Sequence, residues 1–112
     1  PASLAKLRVL ALDCQATGAN PSKNRLLEVG WAVTSAEAEE PSWIESSLVL
    51  SDTDEEIPKR VSRVTGLTKD DLTSSAARTP AEIWNRLVDA ADNVARTNVS
   101  ETCATVIHFC RF

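Results

Sequence analysis

Leu7 to Asp13 (LRVLALD) is apolar on both faces, with Arg8 near its start and Asp13 at its end. Such a run without alternation predicts a central, buried strand. Gln15 to Pro21 follows as a turn-rich loop, with Gly18 and Asn20-Pro21 as breakers. Leu26 to Val33 (LLEVGWAV) predicts a second strand, in which Gly30 marks a bulge or a close backbone approach. Ser35 to Pro41 carries Glu37, Glu39 and Glu40 and reads as a solvated connector. Trp43 to Leu50 predicts a third strand. Three strands on short links describe an antiparallel meander.

The period then changes. Pro58 opens a helix as its first residue, Ile57, Val61 and Val64 fall at helical spacing, and Gly66 ends the run. Thr68-Lys69-Asp70-Asp71 reads as the start of a further helical turn. Thr79-Pro80-Ala81-Glu82 is a stronger start signal, with Thr79 capping, Pro80 first in the helix and Glu82 reaching back. Ile83, Leu87, Ala90 or Ala91 and Val94 line one face, and polar Arg96 to Thr102 breaks the pattern. Ala104 to His108 (ATVIH) predicts a fourth strand, entered from a helix and so placed parallel to the first. Three strands, helices and a strand define an α/β mixed sheet. A core-like strand so near the end, with no helix to cover it, reads as a fold cut short.

Composition narrows the function classes. The 112 residues allow one small domain, 1–112, and 43% hydrophobic content is enough for a core. No run approaches the roughly 18 apolar residues of a membrane span. A pI near 4.9 with net charge −4 excludes nucleic-acid binding by bulk positive charge. An acidic protein still acts on nucleic acid when metal ions mediate. Three cysteines, Cys14, Cys103 and Cys110, form no CxxC pair, and the N-terminus lacks a secretory pattern. Both point to a reducing, cytoplasmic setting. Trp31, Trp43 and Trp84 fall on apolar faces and read as core. Cys103, His108 and Cys110 offer soft ligands, but a structural zinc needs a fourth. Lys59, Arg60, Arg63 and Lys69 make the one local basic cluster, a solvated helix face or a phosphate contact.

Asp13 closes the first strand, where open α/β sheets place ligand sites. Gln15, two residues on, points to the same side of an extended chain. Two such oxygens suit a hard cation, Mg²⁺ or Mn²⁺. Asp13 as a simple turn opener is the competing reading.

The surroundings add a resemblance. Val9-Leu10-Ala11-Leu12-Asp13-Cys14-Gln15-Ala16-Thr17-Gly18, followed by Leu26-Leu27-Glu28-Val29-Gly30, resembles the opening of the DEDD 3′–5′ exonucleases. Ile57-Pro58, then Val64-Thr65-Gly66-Leu67-Thr68, and the helix opened by Thr79-Pro80 continue it in order. Val106-Ile107-His108-Phe109-Cys110-Arg111-Phe112 resembles the second exonuclease motif. The resemblance implies a ribonuclease H-like fold and hydrolysis of DNA or RNA from the 3′ end. It also implies four acids holding two Mg²⁺ or Mn²⁺ ions, which clamp the attacking and leaving oxygens. Asp13 and Gln15 are then the catalytic, metal-binding pair, and Thr17, Gly18 and His108 lie by the substrate's 3′ nucleotide.

The departures are specific. Gln15 stands where the family has Glu, Ala16 where it has Thr, and Phe109 where it has Asn. Gln keeps a carbonyl oxygen but loses the charge. Of the four acids the chain supplies Asp13 alone. The resemblance thus implies an exonuclease portion that is inactive by itself. The alternative is a degenerate, non-catalytic domain for nucleic-acid binding or assembly. An open sheet edge further suggests a homodimer that covers it.

Overall fold

The computed structural model describes residues 4–98 and 104–108. A single 3-10 turn, Leu4–Lys6, leads into β1 (Arg8–Ala16), β2 (Leu26–Ser35) and β3 (Trp43–Val49). Two short helices follow, α1 (Lys59–Thr65) and α2 (Lys69–Leu72). Then come a two-residue strand β4 (Ala77–Arg78), the long helix α3 (Pro80–Thr97) and β5 (Ala104–His108). The sheet order is β4-β3-β2-β1-β5. β1, β2 and β3 form the antiparallel meander, and β5 lies parallel to β1 with Val9 to Asp13 facing Ala104 to His108.

Several bounds differ from the sequence reading: β1 starts one residue later, at Arg8, β2 runs two residues further, to Ser35, and β3 ends one residue earlier, at Val49. β1 runs on through Gln15 to Ala16, because those residues keep pairing with β2 up to a register shift at Gln15/Ala16. Pro58 precedes α1 in extended conformation, at the cap position, so Lys59 is the first helical residue. β4 carries no sequence signal. Its pairing with Leu48 and Val49 depends on where the chain passes in space.

The helix ends follow local chemistry. Gly66 takes φ 75°, a left-handed conformation that glycine adopts without a Cβ penalty, and its N–H donates to Ser62 O. Thr68 and Asp71 form a reciprocal capping box on α2. Thr79 Oγ1 accepts from Glu82 N at 3.2 Å, with Pro80 next in the helix. Glu82 reaches back, but to the Thr79 hydroxyl rather than its backbone.

α3 packs Ile83, Ala90 and Val94 against Leu10, Trp31 and Val33 on one face of the sheet. The stripe repeats at helical spacing, and burying each large apolar side chain contributes roughly 1.5–3 kcal/mol. Asn98 closes this layer. It accepts from Arg8 N and donates to Arg8 O, both at 2.9 Å, which ties the end of α3 to the start of β1. A second cluster, Leu27, Ile57 and Leu72, seats α1 and α2 beside the first residues of β2. Of the three tryptophans assigned to the core, Trp31 is buried and Trp43 half-buried. Trp84 is 66% exposed, because it lies to one side of the stripe that meets the sheet.

Candidate active site

Side chains alternate along a strand. Leu10 and Leu12 face α3, so Asp13 and Gln15 project from the opposite face, and both are exposed. The register sets their neighbours. Asp13 lies opposite Gly30 on β2 and opposite His108 on β5. Gln15 lies opposite Glu28. Gly30 has no side chain, and a Cβ there would meet nothing closer than 3.9 Å. The surface beside Asp13 is therefore open. Asp13 Oδ1 accepts from Cys14 N at 2.9 Å, which leaves Oδ2 clear of that bond.

Thr17 and Gly18 do structural work in the loop that follows. Thr17 Oγ1 donates to Asn24 Oδ1 at 3.2 Å and accepts from Arg25 N at 3.0 Å. A Cβ at Gly18 would fall 2.6 Å from Asn24 Oδ1, so the close approach at this glycine is made by the Asn24 amide. These contacts carry the chain back into β2 beside the end of β1.

A cavity of about 560 Å³ opens between α3 and the sheet at the Asp13 end. Its walls include Leu12, Val29, Val49, Ile83 and Leu87, with Arg25 among its polar residues. Asp13 borders it between Leu12 and Cys14, although its side chain leaves from the other face of the sheet. The cavity reaches none of Gln15, Thr17 or Gly18. Arg25 donates to Ser51 Oγ at 2.8 Å and to Glu55 O at 2.9 Å, joining the 17–25 loop to the segment before α1. Neither Arg25 nor Glu28 stands out in the sequence as a site residue. Arg25 has no motif around it, whereas Glu28 shows itself once β1 and β2 are set in antiparallel register.

Among the described residues, no group of three or more His, Cys, Asp or Glu side chains is placed to hold a metal ion. Asp13 offers one carboxylate and Gln15 a neutral amide, with Glu28 beside the amide across the strand pair. This donor set does not fit two divalent cations, which need several anionic oxygens between them. Cys110, named with the soft-ligand set, lies outside the described residues, as does Cys103.

Cys14 corrects the reading of the cysteines. It is disulfide-bonded. An odd cysteine count without a CxxC pair therefore does not place the chain in a reducing compartment. No helix among the described residues is long and apolar enough to cross a membrane.

No family model and no curated protein sequence matches the chain. Solved structures do. A full-length 3′-exonuclease superposes with TM-score 0.67 at 14% identity, over 90% of this chain and 45% of that one. The nuclease domain of 3′hExo, a DEDDh family member bound to rAMP, gives 0.65 at 14% identity, over 90% and 50%. Exonuclease I of E. coli with a dT13 oligonucleotide gives 0.65 at 16% identity, over 91% and 20%. The chain thus spans half or less of the length of each of these proteins. The fold is the ribonuclease H-like mixed sheet of 3′-exonucleases, as the sequence resemblance implied.

Proposed function

We propose that this chain is the part of a 3′–5′ exonuclease that receives the 3′ end of a nucleic-acid strand. The observation that carries the reading is the placement of Asp13 and Gln15. Both are exposed on one face at the end of β1, an interior strand of the sheet, beside the bare backbone of Gly30. The fold around them is one that 3′-exonucleases use. Neighbours of this fold hold rAMP and a dT13 oligonucleotide, which makes a 3′-terminal nucleotide the natural ligand class. On this reading Gln15 Oε1 and the free oxygen of Asp13 face the terminal nucleotide, and His108 flanks it from β5. Thr17 and Gly18 act by holding the loop that borders it.

Hydrolysis requires more than these residues supply. With one carboxylate and one amide at the strand end, the described residues by themselves release no mononucleotides at a useful rate. The direct test is a titration of the ¹⁵N-labelled protein with a nucleoside 5′-monophosphate. Amide shifts concentrated at Asp13 to Gly18 and Gly30 are expected. Shifts confined to another surface, or none at millimolar ligand, would overturn the reading.

Gln15 favours a second reading, a non-catalytic domain that binds nucleic acid or a protein partner. Restoring the acid in the longest natural form of the protein separates the two. Under the exonuclease reading Gln15→Glu raises the rate of 3′ trimming; under the second reading the rate does not change.

A further inference from the structure

α1 has two unlike sides. Toward the protein, Val61 packs against the Leu27, Ile57 and Leu72 cluster, while the half-buried Ser62 and Thr65 donate to Leu67 O and Val61 O. Toward solvent, Lys59, Arg60 and Arg63 are all exposed. They sit at positions i, i+1 and i+4, which makes one continuous helix face. None lies within ion-pair distance of an acid among the described residues. Among the described residues Lys6, Lys23 and Arg78 are likewise outside any side-chain bond or ion pair, but they stand apart in the chain, and five further basic side chains are engaged. Arg8 donates to Ser42, Arg25 to Ser51 and Glu55, Arg86 to Glu45 and Arg96 to Asp92. Lys69, the fourth member of the basic cluster, pairs with Glu56 at 3.9 Å.

Of the three cations only Arg63, in the last turn of α1, is placed where the helix dipole favours positive charge. Lys59 and Arg60 stand in the first turn, where the helix dipole disfavours positive charge. Like charges three and four residues apart repel. A local rule broken without structural compensation points to function. Position supports this. Leu27, on which α1 rests, follows Leu26, the partner of Ala16. The basic face is therefore anchored beside the strand end that carries Asp13 and Gln15.

We propose that the exposed basic face of α1 carries the phosphate backbone of a single strand whose 3′ end lies at Asp13. The inference rests on the exonuclease reading above and adds the path of the strand leading to the site. Contacts of this kind hold phosphates and ignore bases, so they add affinity without sequence preference.

The test is fluorescence anisotropy of a labelled oligothymidylate across a salt series. Three proteins are compared: wild type, Arg60→Gln/Arg63→Gln, and the charge-matched control Lys6→Gln/Arg96→Gln. The control residues flank Arg8 and Asn98, at the other end of the sheet. All four positions are exposed, and circular dichroism checks that each variant is folded. Single-strand binding loses about 0.7 in log–log salt slope per phosphate contact removed. The α1 variant is expected to lose about 1.4 in slope, and the control to keep the wild-type slope. Equal slopes in all three proteins overturn the proposal. The nucleoside monophosphate titration separates this failure from that of the underlying reading. If shifts at Asp13 persist while the slopes stay equal, only the α1 path falls. If the slope drops but no shift appears at Asp13, the strand is not led to that site, and both fall.

Discussion

Gln15 shows how one side chain changes the chemistry open to a site. It projects from the face of β1 shared with Asp13 and offers an amide oxygen but no charge. Gln15→Glu places a second carboxylate beside Asp13. At about 4 Å a unit charge pair in water is worth ~1 kcal/mol, and a divalent ion doubles that. Mn²⁺ affinity, read from paramagnetic broadening, is therefore expected to rise roughly tenfold or more. Unchanged broadening would show that the two side chains do not converge. This residue pair was legible from the sequence because strand spacing alone puts positions two apart on one side. Glu28 was not, since its place beside Gln15 needs the register of two strands. Glu45 makes a separate residue-scale prediction. Burial pushes its carboxyl up, but the hydrogen bond from Trp43, with Arg86 and Arg78 nearby, overrides this and holds it below the ordinary value of 4.5. Its folded-state pKa is thus lower than in the unfolded chain. The stability it contributes is present above about pH 4.5 and is lost as pH falls through the folded value. Arg86→Gln is expected to cost about 0.5 kcal/mol at neutral pH, as for a partly exposed pair. Urea midpoints of variant and wild type should converge in strong acid. A gap that persists there would assign the effect to packing.

At the scale of elements, periodicity carried most of the fold. β1, β2, β3, α3 and β5 announce themselves through apolar runs or a helical stripe, and Thr79-Pro80 and Gly66 mark ends through their own backbone chemistry. What escaped was whatever depends on a distant neighbour. The two residues of β4 are a strand only because Leu48 and Val49 run beside them. Trp84 reads as core on a helix whose apolar face is wider than the surface it meets. Asn98 also falls in this class. In sequence it merely interrupts a helix, whereas in the fold it satisfies both backbone groups of Arg8. Asn98→Ala leaves that donor and acceptor without their partner, for an expected loss of about 2 kcal/mol. Thr79→Ala removes one cap and should cost about 1 kcal/mol. Denaturant unfolding of the two variants checks the order. A smaller loss for Asn98→Ala than for Thr79→Ala would contradict the clamp assigned to it.

For the whole molecule, the ordered resemblance along the chain was the signal that mattered. Single motifs here are short, but their sequence from Asp13 to His108 matches a fold that the structure shares with 3′-exonucleases. The disulfide at Cys14 was not legible from counting cysteines, because a disulfide depends on which residues meet. Non-reducing peptide mapping should find Cys14 joined to a second cysteine, and recovery of Cys14 only as a free thiol would contradict the structure. The central claim is that the Asp13 end of the sheet receives a free 3′ terminus. It is tested most directly by titrating the protein against a labelled single strand with a free 3′ end and against the same strand closed into a circle. The account predicts tighter binding of the linear strand, and loss of that preference in Asp13→Ala. Equal affinity of the wild-type protein for the linear and circular strands would contradict it.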